Sequence, residues 1–194
     1  MVQLIAYRLG DYETSVGRIA SSVLSKRPDL PDQVMQWIID RLEDEIPCMR
    51  EPILFLLQDR PHLPQRAIQS LANRLGDADT TVVSGAIQTL GEHPNLPENV
   101  VKLLMERLED SDTDVRSDAL HALGTQAIVS ENILQSIVSR LDDETTTAQV
   151  LAIDVLGNQP SLPGRIIELI AGRLMISIPV LDTTQSVLWG ASQI

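Results

Sequence analysis

A chain of 194 residues with 27 acidic and 15 basic side chains carries a formal charge of −12 at pH 7, and 43% of it is hydrophobic. That composition is globular, not disordered. It argues against nucleic acid and anionic membrane as partners, since both are held by clustered Lys and Arg, and no apolar run nears the roughly 18 residues of a membrane helix.

The lone cysteine, Cys48, excludes an internal disulfide framework and predicts a reducing, cytoplasmic setting. The chain repeats every 33 residues, in copies spanning 30–62, 63–95, 96–128, 129–161 and 162–194, and residues 1–29 fit a sixth copy lacking its first four positions. Arg-Leu at unit positions 12 and 13 marks each copy: Arg8-Leu9, Arg41-Leu42, Arg74-Leu75, Arg107-Leu108, Arg140-Leu141 and Arg173-Leu174. Self-similarity at such a period is the signature of a solenoid, so residues 1–194 read as one repeat domain. The Thr-Pro-Leu-His turn of ankyrin repeats is absent, and 3% aromatic residues are too few for tetratricopeptide repeats. No strand with Leu on alternate residues points to leucine-rich repeats. A plain helix pair per copy remains.

In the opening copy, Val2, Ile5, Ala6 and Leu9 form the apolar stripe of helix A, and Val16, Ala20, Val23 and Leu24 that of helix B. Its missing first turn predicts that the chain is cut from a longer one. In the second copy Pro47 suits a first turn, whereas Pro52 falls inside helix B and predicts a kink or a late start. The later copies show the general pattern best. Helix A is expected over positions 2–13, with apolar residues such as Val100, Val101, Leu104, Met105 and Leu108 at helical spacing. Pro31, Pro64, Pro97 and Pro163 suit its start, with Asp29, Asn95 and Ser161 placed to cap it. Helix B is expected over positions 18–28, with alanine at position 24 in four of six copies letting neighbours approach closely. Gly91, Gly124, Gly157 and Gly190 follow it at position 29, where a left-handed glycine ends a helix. In the last copy Met175-Ile176-Ser177-Ile178 replaces the acidic turn, and Gln185 and Ser186 replace apolar residues, as a polar end cap requires. Six pairs with axes about 8–10 Å apart would stack into a curved rod roughly 50–60 Å long, helix A on the convex side and helix B on the concave side.

The turns between helices A and B are acidic, as in Glu109, Asp110, Asp112 and Asp114. Carboxylates favour a helix N-terminus, and a basic partner lying along this edge is the functional alternative. Asp110-Ser111-Asp112-Thr113-Asp114 starts like a calcium loop, but Val115 stands where its glycine belongs. The arginines Arg8, Arg41, Arg74, Arg107, Arg140 and Arg173 end their helices A close to these carboxylates and read as a structural ladder. His62, His93 and His121 occupy different unit positions, so no metal site and no cofactor is expected. Trp37 and Trp189 fall on helix stripes and read as packing residues. Positions 22 and 26 of helix B should face the concavity, giving Glu51, Phe55, Ser84, Gln88, Ser117, His121, Val150 and Asp154 as candidate partner-binding residues. Phe55, the only phenylalanine, is the candidate anchor, or else packs beside Pro52.

The segment Asp110–Gly124, through Asp110, Val115, Arg116, Ala119, Ala122, Leu123 and Gly124, resembles a HEAT repeat of the short, bilin-lyase-like type. The full unit also resembles the C-terminal repeats of fungal NACHT-domain receptors. The resemblance implies an all-α, right-handed α-α superhelix of armadillo type. It implies a pairing of position-15 Asp with position-21 Arg, but only Arg50 and Arg116 fit, so the position-12 column could substitute. The function implied is a non-catalytic scaffold for a protein or peptide partner, within a larger cytosolic signalling or receptor protein. The alternatives are a HEAT-type enzyme, a chromophore lyase or base-excising glycosylase, and a repeat fragment with no separable activity.

Overall fold

The computed structural model describes residues 2–10, 14–27, 29–44, 47–127 and 129–177. They form eleven α-helices and no strand. Residues Met1–Gln159 make one compact unit and Pro160–Ile194 a second.

The first unit holds five helix pairs: α1 (Val2–Tyr7) with α2 (Thr14–Ser25), α3 (Asp32–Asp40) with α4 (Pro47–Gln58), α5 (Gln65–Arg74) with α6 (Thr80–Gly91), α7 (Glu98–Arg107) with α8 (Thr113–Gly124), and α9 (Glu131–Ser139) with α10 (Thr146–Gly157). Each helix B covers unit positions 18–29 in all five pairs. The B helices pack closely in succession, whereas the A helices meet only sparsely. Within this unit the stack is therefore tight on the B side and splayed on the A side. The second unit contributes α11 (Gly164–Ser177). With Met175, Ile176 and Ser177 in place of an acidic turn, this helix continues past position 12, where α5 and α7 stop. Gln185, Ser186, Trp189 and Gly190 lie outside the described residues.

The core follows the two stripes. Leu9, Leu42, Leu75 and Leu108, each beside its marker arginine, are 0–2% exposed. Ala20, Ala86, Ala119 and Ala152 at position 24 are buried. Val23 departs from expectation. It is 38% exposed, because position 27 faces the preceding copy and here no described element covers it. In later copies the same position is buried as Leu56, Thr89, Ala122 and Val155.

Helix starts differ from expectation by one residue. Pro31, Pro64 and Pro97 are themselves the N-caps, extended in backbone, and none of these helices has a side-chain cap. The proline carbonyls accept instead, as Pro31 does from Val34 and Met35 N–H at 2.8 and 3.0 Å. Asp29 and Asn95 are therefore not the caps. Where position 2 is Ser130, its hydroxyl accepts from Ile133 N–H. Helix B is capped from the acidic turn: Asp79 accepts from Thr81 N–H, Asp112 from Asp114 and Val115 N–H, and Thr145 from Ala148 N–H.

Two further expectations are corrected. α4 starts at Pro47 and runs through Pro52, so there is no late start. Gly17 faces the proline ring, and a Cβ there would lie 3.2 Å from Pro52 Cγ. Gly91, Gly124 and Gly157, the position-29 glycines among the described residues, are not left-handed caps. No described glycine has positive φ, and Gly91 and Gly124 are the last residues of regular helices. For Gly91 and Gly124 the role is close approach, whereas a Cβ on Gly157 would meet nothing within 4 Å. A Cβ on Gly91 would sit 3.2 Å from Ala122 Cα, and one on Gly124 would sit 2.6 Å from Val155 Cγ2.

Candidate protein-binding groove

The turns that join A to B also lock neighbouring copies together, as two junctions show. Arg50 pairs with Asp77 of the next copy and donates to its own Asp44 carbonyl at 2.7 Å. Two copies on, Arg116 forks onto both oxygens of Asp143 at 3.1 Å and reaches Glu144 at 2.9 Å. The position-12 arginines answer in the opposite direction. Arg74 reaches back to Glu43, and Arg140 to Glu109, each at 2.9 Å. Both junctions draw on two columns. Position 21 is arginine in copies 30–62 and 96–128 but Val83 between them, and position 14 is Glu43 and Glu109 in those copies, against Gly10, Gly76, Asp142 and Met175 in the others. The resemblance-derived pairing and the position-12 column therefore act together. Within each copy Arg41, Arg74, Arg107 and Arg140 also face the position-15 aspartate at 3.2–3.5 Å. Arg8 lies in the turn after α1 and Arg173 in α11.

Burial sets the electrostatics of the stronger cluster. Desolvation alone would raise the Asp143 pKa, but hydrogen bonds from Arg116 and from the Thr145 N–H and hydroxyl hold it below the ordinary carboxylate value. The same carboxylate raises Arg116, outweighing its own desolvation.

A second column of contacts runs along the C-terminal ends of the B helices, at position 31. The buried Arg60 donates to the Leu24 and Arg27 carbonyls of the preceding copy at 3.0 and 3.1 Å. Gln126 donates to the His93 carbonyl at 3.3 Å, and Thr125 beside it to the Gly91 carbonyl at 2.7 Å. These side chains satisfy carbonyls that a helix end leaves free. His93 holds the same position and is buried, with no hydrogen bond to Nε2. Desolvation lowers its pKa, with His62 adding to the shift and Glu92 opposing it.

Tyr7 and Trp37 lie apart from these columns. Trp37 stacks on Tyr7 with ring centres 6.4 Å apart, and the Arg41 guanidinium sits 4.7 Å above the Trp37 ring. Gly10, at position 14 of the preceding copy, offers Arg41 no carboxylate. Trp37 is thus a half-buried surface residue, not a core one.

The B-side surface of the first unit carries two adjoining grooves. One, of 290 Å³, is lined by Arg18, Glu51, Leu54, Phe55, Gln58, Thr81, Ser84, Gly85 and Gln88. The other, of 380 Å³, is lined by Thr80, Thr81, Ser84, Gln88, Asp112, Asp114, Ser117, Asp118 and Thr147. Thr81, Ser84 and Gln88 belong to both, so they form one trough with an apolar end at Leu54 and Phe55 and an acidic end at Asp114 and Asp118. Gln88 is bonded to Asp118 at 3.1 Å across the junction.

Of the sequence candidates, Glu51, Phe55, Ser84, Gln88 and Ser117 line this trough. Phe55 is 50% exposed, so it is not packed away beside Pro52. His121, Val150 and Asp154 are exposed on the same helix face but line neither groove. Sequence reasoning missed Thr81, Asp114 and Thr147 at position 19 and Asp118 at position 23. A helical stripe at positions 19, 22, 23 and 26 would have found them. Among the described residues no group of three or more His, Cys, Asp or Glu side chains could hold a metal. No helix among them is long and apolar enough to cross a membrane.

A profile of HEAT repeats matches residues 35–124 and, one repeat further on, residues 68–157. No curated protein matches the sequence at a significant level. Among solved structures, an engineered protein aligns over 88% of this chain and 84% of its own, at 17% identity and a TM-score of 0.59. A designed armadillo repeat protein in complex with the peptide (KR)4 aligns over 88% of this chain and 87% of that one, at 14% identity and a TM-score of 0.59. In the CpcE–CpcF complex of phycocyanin lyase from Nostoc sp. PCC7120, one chain aligns over 80% of this chain and 64% of its own, at 18% identity and a TM-score of 0.65. These likenesses carry the fold. With matched spans that together run from residue 35 to residue 157, well over half its length, the chain belongs to the HEAT-repeat family.

Proposed function

We propose that this chain is a non-catalytic interaction scaffold, acting in the cytoplasm within a larger signalling or receptor protein, whose B-side trough holds an extended basic peptide segment. The observation that carries the reading is the trough itself: polar donors and acceptors at Thr81, Ser84, Gln88 and Ser117 run between an exposed aromatic anchor and a carboxylate end. Such a surface suits an extended backbone in its middle and cationic side chains at its acidic end. A formal charge of −12 steers a basic segment toward it. The designed armadillo protein that was solved with a Lys-Arg peptide has the same fold and supports the idea by analogy. The lyase reading asks for an enclosed pocket around a tetrapyrrole, and the trough is open.

The test is fluorescence anisotropy with a labelled eight-residue Lys-Arg peptide and a Glu-Asp control. Saturable binding of the basic peptide only is expected, weakened about tenfold by Asp114→Asn with Asp118→Asn, as for loss of charge-assisted contacts. Equal affinity in that double variant, or no binding at physiological salt, would overturn the proposal.

A further inference from the structure

The two ends of the B-side trough differ in chemistry. At one end Asp114 and Asp118 present carboxylates, which suit cationic groups. The other end is the 290 Å³ groove, walled by α2, α4 and α6. Arg18 and Glu51 stand there, both exposed and opposite in charge. Their charges offset each other, so this end selects apolar bulk and not the sign of a charge.

Phe55 sets this end apart. It occupies position 26, where the following copies carry Gln88, His121 and Asp154. Half of its surface is exposed, while Leu54 and Leu56 on either side are buried. The ring therefore adds little to the core of α4 and stands at the groove instead. Leu54 lies beneath it against Gly85 of α6, where a Cβ would sit 2.9 Å from Leu54 Cδ1. Glycine inside a helix is destabilising, and here a side chain would displace Leu54 and reshape the groove. An apolar surface rimmed by polar and charged groups marks an interaction site.

The distance between the two ends fixes a spacing in whatever spans them. Phe55 on α4 and Asp118 on α8 are separated by α6 alone, which makes two helix steps, or roughly 16–20 Å. Extended backbone covers about 3.3 Å per residue, so about five or six residues bridge the gap. Thr81, Ser84 and Gln88 lie along the way to meet their backbone.

We propose that the segment held in this trough is bipartite, with basic residues at Asp114 and Asp118 and, about five or six residues away, a large apolar side chain seated on Leu54 and Phe55. The proposal rests on the trough reading and adds a second recognition element to it.

The test compares two labelled peptides on the full chain by fluorescence anisotropy. Both carry a Lys-Arg pair, and one has leucine where the other has serine, about six residues from that pair. The two elements are tried in both orders along the peptide, and the tighter order is used. Leucine should tighten binding about tenfold, as burying one such side chain does. Moving it to about three residues from the pair should cancel the gain. Phe55→Ala should bring the leucine-to-serine ratio close to one. That ratio is read on one protein sample, so it does not depend on the fraction folded. A ratio near one in the parent chain, with both peptides bound, would overturn this proposal alone. So would a gain that survives Phe55→Ala or ignores the spacing. Binding of neither peptide would overturn the trough reading and this proposal with it. Self-association of the chain that Phe55→Ala abolishes, seen by sedimentation, would give the groove to a second copy and overturn the proposal as well.

Discussion

Replacing Arg116 by methionine removes a clamp while keeping the length and apolar bulk of the side chain. Arg116 donates to Asp143, Glu144 and the carbonyls of Asp110 and Ser111, at distances of 2.9–3.2 Å. The Arg116 and Asp143 side chains are 5% and 2% exposed. Breaking a buried pair by removing one partner costs about 3–5 kcal/mol. The loss here belongs at the lower end, because Asp143 keeps the Thr145 N–H and hydroxyl, and Arg140 at 3.5 Å. The expected loss is about 3 kcal/mol, and with a urea slope of about 2 kcal/mol per molar the midpoint falls by about 1.5 M. Urea unfolding followed by circular dichroism reads this directly. Arg107→Met is the comparison: its pair with Asp110 is 29% and 19% exposed, and such exposed pairs contribute about 0.3–0.5 kcal/mol. Arg116→Met combined with Asp143→Leu should recover most of the loss, since no buried charge is then left alone. The reasoning fails if Arg116→Met costs no more than Arg107→Met. It fails equally if Arg116→Lys, which cannot fork onto a carboxylate, matches the parent chain.

Gly124→Asn should destabilise at least as much as Gly124→Ala, because both add a Cβ against Val155; overpacking of this kind costs about 1–3 kcal/mol. A left-handed cap would reverse that order, and thermal unfolding of both variants decides it. The lowered pKa of His93 makes the folded state bind its proton less readily than the unfolded chain does. Stability from this site is therefore full above the ordinary histidine value and is lost as pH falls below it. His93→Gln should flatten that part of the stability–pH curve, and an unchanged curve would refute the assignment. Asp143 is also lowered, so its contribution is complete above the unfolded carboxylate value and is lost as pH falls through the folded one. Arg116→Met should reduce the acid dependence at that lower end, measured by urea midpoints at successive pH values.

The repeat period, the two helices and their stripes were legible because each rests on spacing, and spacing survives without coordinates. Glycine at position 29 was misread because a helix-end glycine serves a left-handed turn and a close helix approach equally well. The backbone φ and the distance from Gly124 to Val155 separate the two. Val23 was placed in the core because its periodicity is that of Leu56 and Ala122. Periodicity gives the face but not whether a neighbour covers it. The position-31 contacts escaped notice because Arg60, His93 and Gln126 share no chemistry beyond a donor for free carbonyls. For the trough, two columns were read correctly as surface and two were missed, since positions 19 and 23 become visible only when neighbouring helices are laid side by side.

Nuclear magnetic resonance mapping of a Lys-Arg peptide onto the labelled chain tests the central claim most directly. The account predicts amide shifts concentrated on Thr81, Ser84, Gln88, Ser117 and Asp118, on the B side of the stack. Shifts gathered instead on the A helices, or on the acidic turn edge at Asp142 and Glu144, would contradict it.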